Sequence, residues 1–297
     1  MLQDLDEGSV ANNLIMVEQE DRERRLLKYL NETRPQQDWL YRKVCCESSR
    51  SLYCCECCKV CIPEEDWPPA VLEGRLRFPF DIDVLLDDKE RKSSSTGVQF
   101  ASIAKAAGLQ REKLGLKLPD EKAVNLYDLG KTDIPHYSAQ NNGVYVLFPS
   151  KDSVPISTVS PEKLVVLDIK WNKQTVKFHP EISNLPKVHL DNPPAESHFW
   201  RWHNSGRGML STIEAIYFAV MDVTQDKWSR EERDDLIHMM WLFSLQRAVI
   251  HQRSEIQNRL PPFTAEGKES QRILRVQHTG NTPKDKPYVR SSIYEKL

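Results

Sequence analysis

Six consecutive residues, Leu164 to Ile169 (LVVLDI), are apolar at every position but one. A strand with one wet face alternates apolar and polar residues. A strand apolar on both faces must be covered on both, which is the condition of a parallel sheet in an α/β protein. Similar runs stand at Phe78 to Leu86 and Val144 to Phe148, with a shorter one at Val188 to Leu190. Helical spacing follows at Thr96 to Ala107, at about 211–222 and at about 230–252. Alternating strands and helices of this kind build a parallel α/β sheet. Ligands of such sheets bind outside the carboxyl ends of the strands. Asp168, the loop before Thr96, the loop after Phe148 and the helix start at Ser211 all fall at element ends.

The later helices are well marked. Ser211 and Glu214 form S-x-x-E, a capping box in which serine and glutamate each satisfy an orphan backbone N–H. Ile213, Ile216, Tyr217 and Val220 then recur at i, i+3, i+4 and i+7, one buried face. Ser229 and Glu232 repeat the box ahead of Leu236, Met239, Met240 and Phe243. Upstream of Ser211 stand Trp200, Arg201 and Trp202, residue types that suit a flat base and a phosphate. Spacing alone favours the plainer reading, a capped core helix with surface aromatics. Net charge is −2, so any RNA contact has to use a local patch. Neither G-x-G-x-x-G nor G-x-x-x-x-G-K-[ST] occurs, and the histidines show no H-x-x-x-H or H-E-x-x-H spacing.

All seven cysteines lie between Cys45 and Cys61. A disulfide framework ties distant segments together, which so tight a cluster cannot do. Metal is the better reading, with free thiols as the alternative. Tetrahedral zinc needs four ligands. Cys46, Cys54 and Cys57 are the first candidates, with Cys61 or Cys45 as the fourth. The chain thus divides into a polar extension with a helix at Glu18 to Leu30 (1–40), a cysteine-rich knuckle (41–66), an α/β domain (67–258) and a flexible, net basic tail (259–297). No apolar run approaches the ~18 residues of a membrane helix. The N-terminus MLQDLDEGSV has no apolar core of a secretory signal. An intracellular monomer, in nucleus or cytoplasm, is expected.

Several segments carry a resemblance. They are S-R-x-x-Y-C-x-x-C from Ser49 to Cys57, F-P-F-D-I-D-V from Phe78 to Val84, Ser95 with Thr96, V-L-F-P-x-x-x-S from Val146 to Ser153, Asp168 to Trp171, and F-W-R followed by L-S-T-I-E-A-I-Y ending at Tyr217. In order and spacing they resemble the DTW-domain family of tRNA-uridine aminocarboxypropyltransferases, most closely its eukaryotic type 1 branch, over about residues 44–252. The resemblance implies a SPOUT-like parallel sheet with a C-terminal knot, preceded by a zinc knuckle. It implies transfer of the 3-amino-3-carboxypropyl group of S-adenosylmethionine to N3 of a tRNA uridine. N3 carries a proton that must leave, and a carboxylate in reach can take it. Asp168 is the candidate base, with Trp171 beside it. Ser95, Thr96, Pro149, Ser153, Ser211, Thr212 and Glu214 are the implied cofactor-site residues. Trp200, Arg201, Lys170 and Lys177 are the implied RNA-facing residues.

The chain also departs from that pattern. Lys170 stands where the family has threonine, so D-x-T-W reads DIKW. Val176 replaces the family's lysine, with Lys177 next to it, and Lys43 replaces the first upstream cysteine. These departures keep two other functions open. One is a tRNA-binding relative that has lost the transfer. The other is a ribosomal-RNA aminocarboxypropyltransferase, which should lack the cysteine knuckle.

Overall fold

The computed structural model describes residues 7–35, 54–55, 59–60, 62–87, 95–118, 120–129, 132–137, 143–169, 179–200, 209–225, 227–261 and 264–279. Its centre is a six-stranded, wholly parallel sheet. In chain order the strands are β3 (Asp81–Leu86), β4 (Val124–Asp128), β5 (Val144–Leu147), β6 (Val154–Pro155), β7 (Lys163–Asp168) and β8 (Lys187–His189). Across the sheet they run β4-β3-β7-β5-β8-β6. The LVVLDI run is therefore β7, central as expected, with β3 on one side and β5 on the other. Later strands insert between earlier ones, an order consistent with a SPOUT-like sheet. A separate two-stranded antiparallel ribbon, β1 (Cys54–Cys55) with β2 (Lys59–Val60), precedes it.

The pleat sends alternate residues to opposite faces. On one face Ile82, Val84, Leu86, Leu164 and Val166 pack beneath three helices. These are α3 (Thr96–Lys113), α5 (Thr212–Thr224) and α7 (Trp241–Ile256). Val98, Phe100, Ile103, Ile213, Ile216, Tyr217, Leu242 and Phe243 supply the opposing core. Each such side chain contributes about 1.5–3 kcal/mol on burial. The other face is thinner. Leu85, Val144, Val146 and Val165 pack there with Tyr137 and with Ile182 and Leu185, from and just after the single turn α4 (Pro180–Ser183).

Both expected capping boxes form, at Ser211 and at Ser229, the latter opening α6 (Arg230–Leu236). The N-terminal helix α1 (Glu7–Glu32) is longer than the expected Glu18 to Leu30. It docks by burying Leu26 and Leu30 and by a buried ion pair, Arg22 to Asp222 of α5 at 2.5 Å. Among the elements that the sequence did not mark are the short helix α2 (Pro69–Leu72), the edge strands β4 and β6, the single turn at Pro180–Ser183 and α8 (Ala265–Thr279), which lies in the stretch expected to be a flexible tail. Lys268 ties α8 down through the carbonyl of Ser197 at 3.1 Å. Among the described residues no helix is long and apolar enough to cross a membrane.

Candidate functional site

Asp168 ends β7, and the alternation that sends Leu164 and Val166 toward the helices sends Asp168 there too. It is 6% exposed. Its Oδ2 accepts from Ser95 Oγ and from the Gly97 N–H at 3.2 Å, and its Oδ1 accepts from Thr212 Oγ1 at 2.8 Å. Thr96 Oγ1 accepts from the Ile213 N–H at 3.4 Å. The starts of α3 and α5, 117 residues apart at that bond, thus close on one carboxylate. A helix start concentrates free N–H groups and positive dipole, so an anion is at home there. Ser95 also caps α3, its Oγ accepting from the Val98 N–H at 2.9 Å. Glycine is required next to it. A Cβ on Gly97 would stand 2.6 Å from Asp168 Oδ2 and 2.8 Å from Val84 Cγ1. Burial raises the Asp168 pKa above the ordinary carboxylate value, and the bonds from Ser95, Thr212 and Gly97 oppose that rise.

Glu214, one turn into α5, is fully buried and saturated. It accepts from Ser197 Oγ at 2.5 Å, the His198 N–H at 2.7 Å, the Ser211 N–H at 2.9 Å and Ser211 Oγ at 2.6 Å. The glutamate therefore pins the Ser197–His198 segment to the start of α5. Burial lowers the His198 pKa, and the Glu214 charge acts the other way. Trp200, expected at an RNA surface, is 4% exposed and packs on Phe199 and on Phe243 of α7, with ring centres 4.3 Å and 5.4 Å away.

The loop after β5 carries Pro149 and Ser153. Leu147 is in register with Val166, so Pro149 comes level with Asp168 at the same sheet edge. Ser153 Oγ accepts from the Ser150 N–H at 3.0 Å, lies 2.8 Å from the Ser150 carbonyl, and contacts His189 Nδ1 of β8 at 2.9 Å. Ser150 Oγ is buried with no protein partner. The structure thus gathers Ser95, Thr96, Asp168, Ser211, Thr212 and Glu214 at one junction, with the Pro149–Ser153 loop along the same edge. Lys170, Trp171, Lys177 and Arg201 lie outside the described residues. Gly97, Ser150, Ser197 and His189 went unnoticed in the sequence. Each stands in a polar or loop setting, and no spacing marks any of them out.

The cysteine side chains also lie outside the described residues. The backbone ribbon sets Cys54 opposite Val60, the residue before Cys61. Among the described residues no group of three or more His, Cys, Asp or Glu could hold a metal.

Comparison with known proteins places most of these elements within one family match. Residues 52–248 match the DTW domain. The tRNA-uridine aminocarboxypropyltransferase 1 of Xenopus laevis is 24% identical over 252 residues, covering 69% of this chain and 78% of the relative. The protein of that name from Rattus norvegicus is 24% identical over 263 residues, covering 72% and 78%. That from Mus musculus is 24% identical over 253 residues, covering 69% and 75%. No solved structure matches.

Proposed function

The chain belongs to the DTW-domain family, and on that premise we infer that it is an S-adenosylmethionine-dependent tRNA-uridine aminocarboxypropyltransferase. The observation that carries this is the meeting of Ser95, Thr96, Asp168 and Thr212 at the carboxyl edge of a parallel sheet, where such folds bind ligands. Segments that resemble the family's motifs, far apart in sequence, come together at one point.

The residues at this edge fit a polar, partly anionic ligand. Two helix starts, those of α3 and α5, point there, and a helix start favours negative charge. The cofactor would supply an electrophilic carbon in its amino-acid arm. Ser95, Thr212 and the Gly97 amide hold the Asp168 carboxylate in one orientation. Burial gives that carboxylate more proton affinity than an exposed aspartate, which suits it to take the N3 proton of uridine. Thr212 occupies Oδ1 in the free protein, so accepting a proton there requires its hydroxyl to turn aside. Trp171 would stand beside the base. Arg201, Lys170 and Lys177 would meet the tRNA, with the protein acting as a monomer. The knot remains part of this reading. So does a structural zinc held by Cys46, Cys54 and Cys57 with Cys61 or Cys45, for which elemental analysis should find near-stoichiometric metal.

A second reading, a tRNA-binding relative without transfer, draws support from the full hydrogen bonding of Asp168 and from Lys170 in the family's threonine position. One experiment separates them. The transferase moves label from carboxyl-labelled S-adenosylmethionine into tRNA, and the relative binds tRNA without moving label.

A further inference from the structure

The N-terminal helix α1 precedes the family match, which begins at residue 52. It is nonetheless built into the domain. Leu26 and Leu30 are buried, Arg25 pairs with Asp234 of α6 at 2.9 Å, and Arg247 of α7 donates to the Asn31 side chain at 3.1 Å. Arg22 leads further. Its Nη1 meets Asp222 Oδ1 at 2.5 Å, and both side chains are buried. The other oxygen of Asp222, Oδ2, accepts from the Asp191 N–H at 3.0 Å. The Asp191 carboxylate in turn accepts from the Ser157 N–H at 3.2 Å and from Ser157 Oγ. One line of bonds thus runs from α1 through α5 to the segment after β8 and the turn after β6.

That line ends at the carboxyl edge of the sheet. Pro155 is in register with His189, so Ser157 and Asp191, each two residues beyond, leave the sheet together. A carboxylate fixed at one oxygen presents the other in a set direction. Without the guanidinium, Asp222 would be a buried charge next to the charge of Asp191, which is costly. Burial lifts the Asp222 pKa to about 6; Arg22 opposes that rise and Asp191 adds to it.

We propose that Arg22 is a positioning residue for the cofactor edge, acting through Asp222 to set the strand-end segments at Asp191 and Ser157. This rests on the cofactor reading above. The N-terminal helix is thereby a working part of the site.

The test is Arg22→Met in the full chain, read by calorimetric affinity for S-adenosylmethionine and by label transfer at saturating cofactor. The dissociation constant should rise about tenfold, within the usual range of coupling between distant sites. Turnover at saturation should stay near wild type, because β5 separates β8 from β7 and its Asp168. Leu26→Ala is the control. It loosens the same helix by emptying a fully buried position, so it should lower the melting temperature and leave the affinity at the wild-type value. Ser157→Ala, at an exposed position, should raise the constant less. Added to Arg22→Met it should raise it no further, since both act on one line of bonds. Should Arg22→Met not fold, Arg22→Lys takes its place, a shorter cation expected to give a smaller rise. Unchanged affinity in the folded Arg22 variant overturns the assignment. An equal rise in Leu26→Ala overturns it too, making α1 a general support, as does an additive double variant. A wild type that binds no S-adenosylmethionine overturns the cofactor reading itself.

Discussion

Two aspartates on neighbouring strands are buried in opposite ways. Asp83, in the middle of β3, faces the thin side of the sheet and is fully buried. Tyr137 donates to it at 2.7 Å, Asn125 at 2.9 Å, and Lys163 brings a cation to 3.3 Å. Asp168, at the end of β7, faces the helices. Its partners among the described residues are two hydroxyls and an amide, all neutral. Asp83 carries its own counter-ion and fastens the Tyr137 segment and the two neighbouring strands, β4 and β7, to β3. Asp168 joins the ends of three elements at the carboxyl edge of the sheet, where folds of this kind bind ligands. A compensated carboxylate in mid-strand reads as structure. A carboxylate held by neutral donors at two helix starts, its proton affinity raised, reads as function.

Substitution should break the comparison open. The largest effect expected is on turnover. Asp168→Ala should lower label transfer to tRNA by about 10²–10⁴, the usual worth of a positioned base. A drop of less than tenfold in folded protein removes Asp168 from the chemistry. Asp83→Ala should act on stability, costing about 2–4 kcal/mol in urea melts by leaving the Tyr137 hydroxyl without its acceptor and Lys163 with Asp81 alone, at 3.6 Å. The lower part of that range is expected because Lys163 is 24% exposed and partly solvated. Turnover per folded molecule should stay near wild type. Gly97→Ala should cost about 1–3 kcal/mol, since its new methyl would press on Asp168 and Val84. It should also weaken the protection that S-adenosylmethionine gives against heat, and equal protection in both proteins would detach the α3 start from the cofactor.

Titration sharpens the contrast with the smallest effect. The Asp168 pKa is raised by burial, so its proton binds the folded state more tightly than the unfolded one. That contribution is fully present below the unfolded value, is lost as pH rises through the folded value, and is absent above it. Asp168→Asn should flatten this part of the stability–pH curve, and an unaltered curve would show that Asp168 does not carry it. Asp222 complicates the background, because burial lifts it to about 6 even with Arg22 beside it. The comparison is therefore cleanest when both proteins carry Asp222→Asn.

Much of this junction was legible in the chain. The both-faces-apolar run located β7 in the middle of the sheet, which put Asp168 at a carboxyl end. The S-x-x-E pairs located the starts of α5 and α6. The missed edge strand β4 buries no residue completely. Every residue of β4 is half-buried, so an edge strand of that kind leaves no apolar pattern. The helix α8 is polar and is secured by Lys268, a contact invisible before the chain is folded. Trp200 illustrates the converse. An aromatic beside an arginine suggests a nucleic-acid surface, yet Glu214 pulls the preceding residues inward and Phe243 supplies an apolar wall. Local composition could not reveal that Glu214 serves a distant segment as well as its own helix cap.

The most direct measurement is mass spectrometry of the nucleosides of tRNA incubated with the purified protein and S-adenosylmethionine. Aminocarboxypropyl transfer predicts a uridine that gains the 3-amino-3-carboxypropyl group at N3, formed by wild type and nearly absent with Asp168→Ala. Uridines left unmodified by a folded wild-type protein on every tRNA pool offered, or modified by methyl alone, would contradict the assignment.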